Sequence, residues 1–103
     1  MENALEKAVS VIIEIAQPEK IILFGSRAKT EDNENSDYDL LILKKGIAGK
    51  RKLAQKIYLN FCNIGAPIDL IVEDSDNYES KKNDPFLIFS EINKSGKVIY
   101  ERS

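Results

Sequence analysis

The stretch IILFGSRAKTEDNENSDYDLLIL, residues 21–43, decides the fold. A continuous apolar run, KIILF at 20–24, stops at Gly25 and reads as a buried strand. A polar segment, SRAKTEDNENS, separates it from DYDLLIL at 37–43, which reads as a second strand. If the two pair antiparallel, the end of the first lies beside the start of the second. Gly25, Ser26, Asp37 and Asp39 then meet at one rim of the sheet. Asp37 and Asp39 are two positions apart, so both project from one face while Tyr38 points the other way.

Two carboxylates so close repel each other, and desolvating them is costly unless a cation sits between them. Taken alone, Asp-x-Asp reads as a solvated strand end, and Gly25-Ser26 reads as a plain turn. Together they make a different environment. A glycine lets a phosphate approach the backbone closely. Ser26 offers a hydroxyl, and a following turn or short helix offers free N–H groups to an anion. A third acid, Asp69, sits between Ile68 and Leu70 in the apolar run PIDLIVE at 67–73. Either it faces solvent on a one-sided strand, or it completes the pair into a two-ion site. Arg27 reads equally as a surface arginine or as a phosphate contact.

Working outward, residues 4–16 place Leu5, Ala8, Val9, Ile12, Ile13 and Ala16 at helical spacing, with Asn3 and Glu6 as capping residues and Pro18 as the far limit. A second helix is expected over 50–62, with Leu53, Ala54, Ile57, Phe61 and Cys62 on one side and Asn63-Ile64-Gly65 as its stop. The polar stretch 74–83 reads as irregular. Asp84-Pro85 reads as a helix start carrying Phe86, Phe89 and Ile92, ending near Ser95-Gly96. KVIYE at 97–101 reads as a last strand at an edge. The expected order is α-β-β-α-β-α-β, an α/β (α+β) architecture with a small mixed sheet and helices packed on it.

Composition narrows the chemistry. In 103 residues, 43% are hydrophobic and 31% charged, with five Gly and three Pro, which suits one globular domain over 1–103. Fifteen basic and seventeen acidic residues leave a net charge of −2, so direct nucleic-acid binding is not expected. There is no His, which excludes histidine bases and histidine metal ligands. The single cysteine, Cys62, excludes an internal disulfide and suits a reducing, cytoplasmic setting. No run is long enough to span a membrane, and the acidic, periodic N-terminus is unlike a signal peptide. The segment 44–56 holds Lys44, Lys45, Lys50, Arg51, Lys52 and Lys56 without an acid. It reads as a solvated face, or as a docking surface, because cations at a helix start are disfavoured without compensation.

Gly-Ser, ten residues, Asp-x-Asp, and then an Asp about thirty residues later in an apolar strand resemble the nucleotidyltransferase superfamily that includes DNA polymerase beta. The chain is most similar to the minimal nucleotidyltransferases, over nearly its whole length. The resemblance implies a nucleotidyltransferase fold and a role for each residue. Asp37, Asp39 and Asp69 would bind two Mg²⁺ ions and carry catalysis. Gly25, Ser26 and Arg27 would hold the triphosphate of ATP.

The resemblance also implies a partner. Minimal nucleotidyltransferases commonly pair with HEPN toxins, helical RNases, and adenylylate them on tyrosine as antitoxins. Two other readings stay open: a nucleotide-binding module that neutralises its partner by docking alone, and a nucleotidyltransferase acting on a small molecule. Homo- or hetero-oligomers fit each of them.

Overall fold

The computed structural model describes residues 3–25 and 37–102. The chain begins with helix α1 (Ala4–Ala16), strand β1 (Lys20–Phe24) and strand β2 (Tyr38–Lys44). Helix α2 (Lys50–Leu59), strand β3 (Ile68–Asp74), helix α3 (Ser75–Lys81), helix α4 (Ile88–Ser95) and strand β4 (Lys97–Glu101) follow. The strands form one mixed sheet in the order β3-β2-β1-β4. β1 runs antiparallel to both β2 and β4, while β2 and β3 run parallel, joined through α2. A parallel pair needs such a crossover, and the helix supplies it.

Strand position explains the sequence pattern. β1 and β2 are central and covered on both faces, so their apolar runs are continuous. β3 and β4 are edges, and their burial is mixed. On one face Ile21, Leu23, Leu40, Ile42, Ile68 and Val72 pack with Ala8, Ile12 and Ala16 of α1 and Ile57 of α2. On the other, Ile22, Leu41 and Leu43 pack with Tyr78 of α3 and Ile92 of α4. Each fully buried Ile or Leu contributes roughly 1.5–3 kcal/mol relative to exposure. The Asn3 side chain accepts from the Glu6 N–H at 2.8 Å, the N-cap expected from the sequence.

Three expectations are corrected. Residues 74–83 are not irregular, because α3 forms there. Asp74 caps it by accepting from the N–H groups of Asp76 and Asn77, and Tyr78 anchors it against Phe89 with ring centroids 5.5 Å apart. Asp84-Pro85 does not start the next helix. The Asp84 carboxylate accepts from the Phe86 N–H at 3.0 Å, and its carbonyl accepts from the Leu87 N–H at 3.1 Å, closing a turn. The helix begins only at Ile88, and Phe86 is left 93% exposed. Finally, α2 ends at Leu59, so Phe61 and Cys62 lie beyond it. Cys62 is exposed, and Asn63 takes the left-handed conformation at φ 55°. No described helix is long and apolar enough to cross a membrane.

Candidate active site

The antiparallel register sets Phe24 opposite Asp39, so Gly25 leaves β1 beside that carboxylate. The parallel register sets Tyr38 opposite Ile68 and Asp39 opposite Asp69. Register partners on neighbouring strands project to the same face. Asp69 therefore stands on the same side as Asp39, at the rim where β2 and β3 begin. A backbone bond from the Tyr38 N–H to the Pro67 carbonyl, 3.1 Å, fixes the two strand starts together. Tyr58 of α2 ties down the outer edge, its hydroxyl accepting from the Leu70 N–H at 2.8 Å.

Gly25 is required by two features. Its φ is +76°, a conformation that side chains resist. A Cβ there would lie 2.3 Å from Asp39 Oδ2, so the carboxylate fills the space that any other residue would occupy.

The three acids act on one another. Burial raises the pKa of Asp39 above the ordinary carboxylate range, and the charges of Asp69 and Asp37 raise it further. Asp69 is raised first by desolvation, then by a hydrogen bond with the Asp37 carboxyl and by its charge. Among the described residues, the rim thus gathers negative charge, with Asp39 and Asp69 each shifted by burial and by acidic neighbours.

The donor set is oxygen only, which suits hard divalent cations such as Mg²⁺ and not zinc. The contacts among the acids are pairwise. No group of three such side chains among the described residues already surrounds one point closely enough to hold an ion. Asp37 and Asp69 are exposed, so rotation of short side chains at the strand ends is what would bring ligands onto a cation. With that movement the residues fit the group. Ser26 and Arg27, expected at the triphosphate, lie outside the described residues.

At the opposite end of the same strands the carboxylates are already satisfied. Glu73, 7% exposed, accepts from Lys50 Nζ at 3.1 and 3.2 Å and from the Asp74 N–H at 2.8 Å. Burial pushes its pKa up, but these bonds outweigh burial and hold it below the ordinary range. Glu19 accepts from the Lys45 N–H and from Ser75 Oγ. Part of the basic segment 44–56 therefore serves the fold: Lys50 answers Glu73, and Lys44 donates to the Gln17 carbonyl at 3.4 Å.

One set of residues near the rim was missed by sequence reasoning. Ile88, Glu91, Ile92 and Ser95 of α4 face the end of β1 and, with Phe24 and Gly25, line a cavity of about 230 Å³. Their spacing is that of an ordinary core-facing stripe. The available signal was Glu91, a charge within that stripe.

Residues 6–103 match the family described as Polymerase beta, Nucleotidyltransferase. No curated protein matches the sequence significantly. Among solved structures, a toxin–antitoxin crystallised with AMP-PNP is similar with a TM-score of 0.63 and 19% identity. That match covers 99% of this chain and 76% of the other. A mutant of the MntA-HpeT toxin–antitoxin is similar with a TM-score of 0.61 and 17% identity, covering 99% of this chain and 75% of the other. At such identities the likeness is one of fold.

Proposed function

The chain belongs to the polymerase beta nucleotidyltransferase family, and from that premise we propose that it transfers AMP from ATP to a tyrosine hydroxyl of a partner HEPN toxin, acting as an antitoxin in the cytoplasm. The observation that carries the reading is the register Asp39 opposite Asp69, with Gly25 folded against Asp39. Two similar folds belong to toxin–antitoxin complexes, one of them crystallised with an ATP analogue, and they support the choice of partner and nucleotide. Residues 1–103 are read as one minimal nucleotidyltransferase domain.

Asp37 and Asp39 would hold two Mg²⁺ ions, and Asp69 would complete the site on the β3 side. Ions bound there would supply a lowered pKa for the attacking hydroxyl and an offset to the charge on the phosphates. Gly25 admits the triphosphate close to the backbone, and Ser26 and Arg27 donate to its oxygens. The acceptor oxygen forms a bond to the α-phosphorus. The bond from that phosphorus to the bridging oxygen of pyrophosphate breaks, and pyrophosphate leaves. Asp69, on the β3 side of the site, would take the hydroxyl proton.

Incubation with ATP labelled at the α-phosphate, Mg²⁺ and the co-encoded helical protein tests this. Label on a partner tyrosine, lost with Asp39→Asn, is expected. Neutralisation of the partner that survives Asp39→Asn with no label transferred would establish docking alone.

A further inference from the structure

Two cations of the basic segment 44–56 serve the fold, Lys44 at the Gln17 carbonyl and Lys50 at Glu73. Arg51, Lys52 and Lys56 do not. All three are exposed on α2, and the ion pairs among the described residues involve none of them. Lys52 and Lys56 stand one helical turn apart, where like charges repel. Arg51 and Lys52 lie in the first turn, where the helix dipole disfavours cations and no acidic residue of that turn offsets them. Leu53, Ala54 and Ile57 supply the inward face, so packing does not require these charges.

The same outward face carries apolar surface. Leu59, on the same side as Lys52 and Lys56 at helical spacing, is 86% exposed, and Tyr58 is 42% exposed. An aliphatic side chain beside cations suits a protein interface, with an apolar centre and a polar margin. A nucleic-acid backbone would engage the cations but leave Leu59 in water, and the chain's net charge of −2 opposes it. Position narrows the occupant further. The Tyr58 hydroxyl accepts from the Leu70 N–H at 2.8 Å, one residue from Asp69. Arg51 lies two turns before Tyr58 on that side of the helix. In the sheet order β3-β2-β1 this is the end of the rim away from Gly25. With the triphosphate at Gly25, the acceptor approaches from the β3 side, past α2.

We propose that the outward face of α2, built on Lys52, Lys56 and Leu59 with Arg51 and Tyr58 toward β3, is the docking surface for the acceptor protein. The matching face of that protein is acidic around an apolar contact. The occupant's identity rests on the transfer reading above. Complementary charge orients the encounter, and burial of Leu59 holds the complex.

Direct binding of the full chain to the co-encoded helical protein, measured by calorimetry, tests the assignment without requiring catalysis. The triple variant Arg51→Glu/Lys52→Glu/Lys56→Glu is expected to weaken the complex about tenfold or more and to leave Mg-ATP affinity unchanged, which reports an intact rim. Leu59→Ser should weaken it about fivefold with no change in charge. Lys7→Glu/Lys81→Glu/Lys94→Glu, an equal change in net charge at exposed sites elsewhere, should leave the complex intact. Undiminished binding by the α2 variants, equal losses in the two triple variants, or no complex with the unmodified protein overturns the assignment. So does a labelled single-stranded RNA that binds the unmodified chain and is released by charge reversal on α2 while the protein complex persists. A complex that forms as expected but receives no label from ATP overturns the transfer reading alone.

Discussion

Asp69 and Glu73 stand on the same strand and the same face, one near each end, and they have opposite surroundings. Glu73 is buried, paired with Lys50 and capped by a backbone N–H, and its pKa lies below the ordinary range. Asp69 is exposed, faces Asp37 and Asp39, and its pKa lies above that range. The more buried acid is the more comfortable one. Burial alone therefore does not decide how comfortably an acid sits here; the identity of the neighbours does. Glu73 has its cation built into α2, whereas the charges that shift Asp39 and Asp69 among the described residues are those of other aspartates.

Breaking the acid rim should have the largest effect on activity and almost none on the fold. Asp39→Asn is expected to lower nucleotidyl transfer by at least about a hundredfold, the scale of losing a group that stabilises developing charge. Its melting temperature without Mg²⁺ should equal or exceed that of the unmodified protein, because one repelling charge is gone. A large drop in that temperature would give Asp39 the same structural role as Glu73 and erase the contrast.

Gly25→Ala attacks the rim through the backbone. The added Cβ must displace the Asp39 carboxylate, and the left-handed conformation costs a side-chain-bearing residue roughly 1–2 kcal/mol. Transfer should fall about tenfold or more, with a matching modest loss in denaturant stability. Unchanged transfer would mean that Asp39 does not need its present position.

Lys50→Met should show the reverse profile. It leaves Glu73 buried without its cation, which should cost roughly 1–3 kcal/mol in urea unfolding, the range for a charged group left short of a partner. The activity of the folded fraction should be unchanged. A stability loss near zero would show that the Lys50–Glu73 pair contributes no more than an ordinary surface ion pair.

The smallest effect is one of pH, and its sign differs between the two ends. Folded Asp39 and Asp69 hold protons more tightly than the unfolded chain does, so their ionisation erodes stability as pH rises through their raised values. Glu73 and Asp74 hold protons less tightly, so their contribution is complete above the ordinary carboxylate range and disappears as pH falls through their depressed values. An Asp39→Asn/Asp69→Asn double variant should therefore melt above the unmodified protein at neutral pH, with the gap closing in acid. Glu73→Gln should melt below it at neutral pH and converge with it in acid. Gaps that do not depend on pH would detach both ends from proton linkage.

The sequence disclosed the sheet and its rim for different reasons. KIILF and DYDLLIL are continuous apolar runs because both strands are central, and their ends carry glycine and aspartate where the sheet opens to solvent. Asp69 was visible as an acid out of pattern. The parallel pairing of β2 and β3, which sets Asp69 beside Asp39, depends on the crossover and has no local signature. Helix α3 was hidden because its seven residues bury only Tyr78, too few apolar contacts to form a period. At Asp84-Pro85 the chain offered both a cap and a turn, and the side-chain bond to the Phe86 N–H settled the competition for the turn. The compensation of Lys50, on α2, by Glu73 was illegible because that partner lies on strand β3, distant in sequence.

The most direct test of the central claim is a crystal structure of the full chain with Mg²⁺ and a non-hydrolysable ATP analogue. The account predicts divalent ions bridging Asp37, Asp39 and Asp69, with the triphosphate lying over Gly25. Nucleotide or ions on any other surface, with these three carboxylates unliganded, would contradict it.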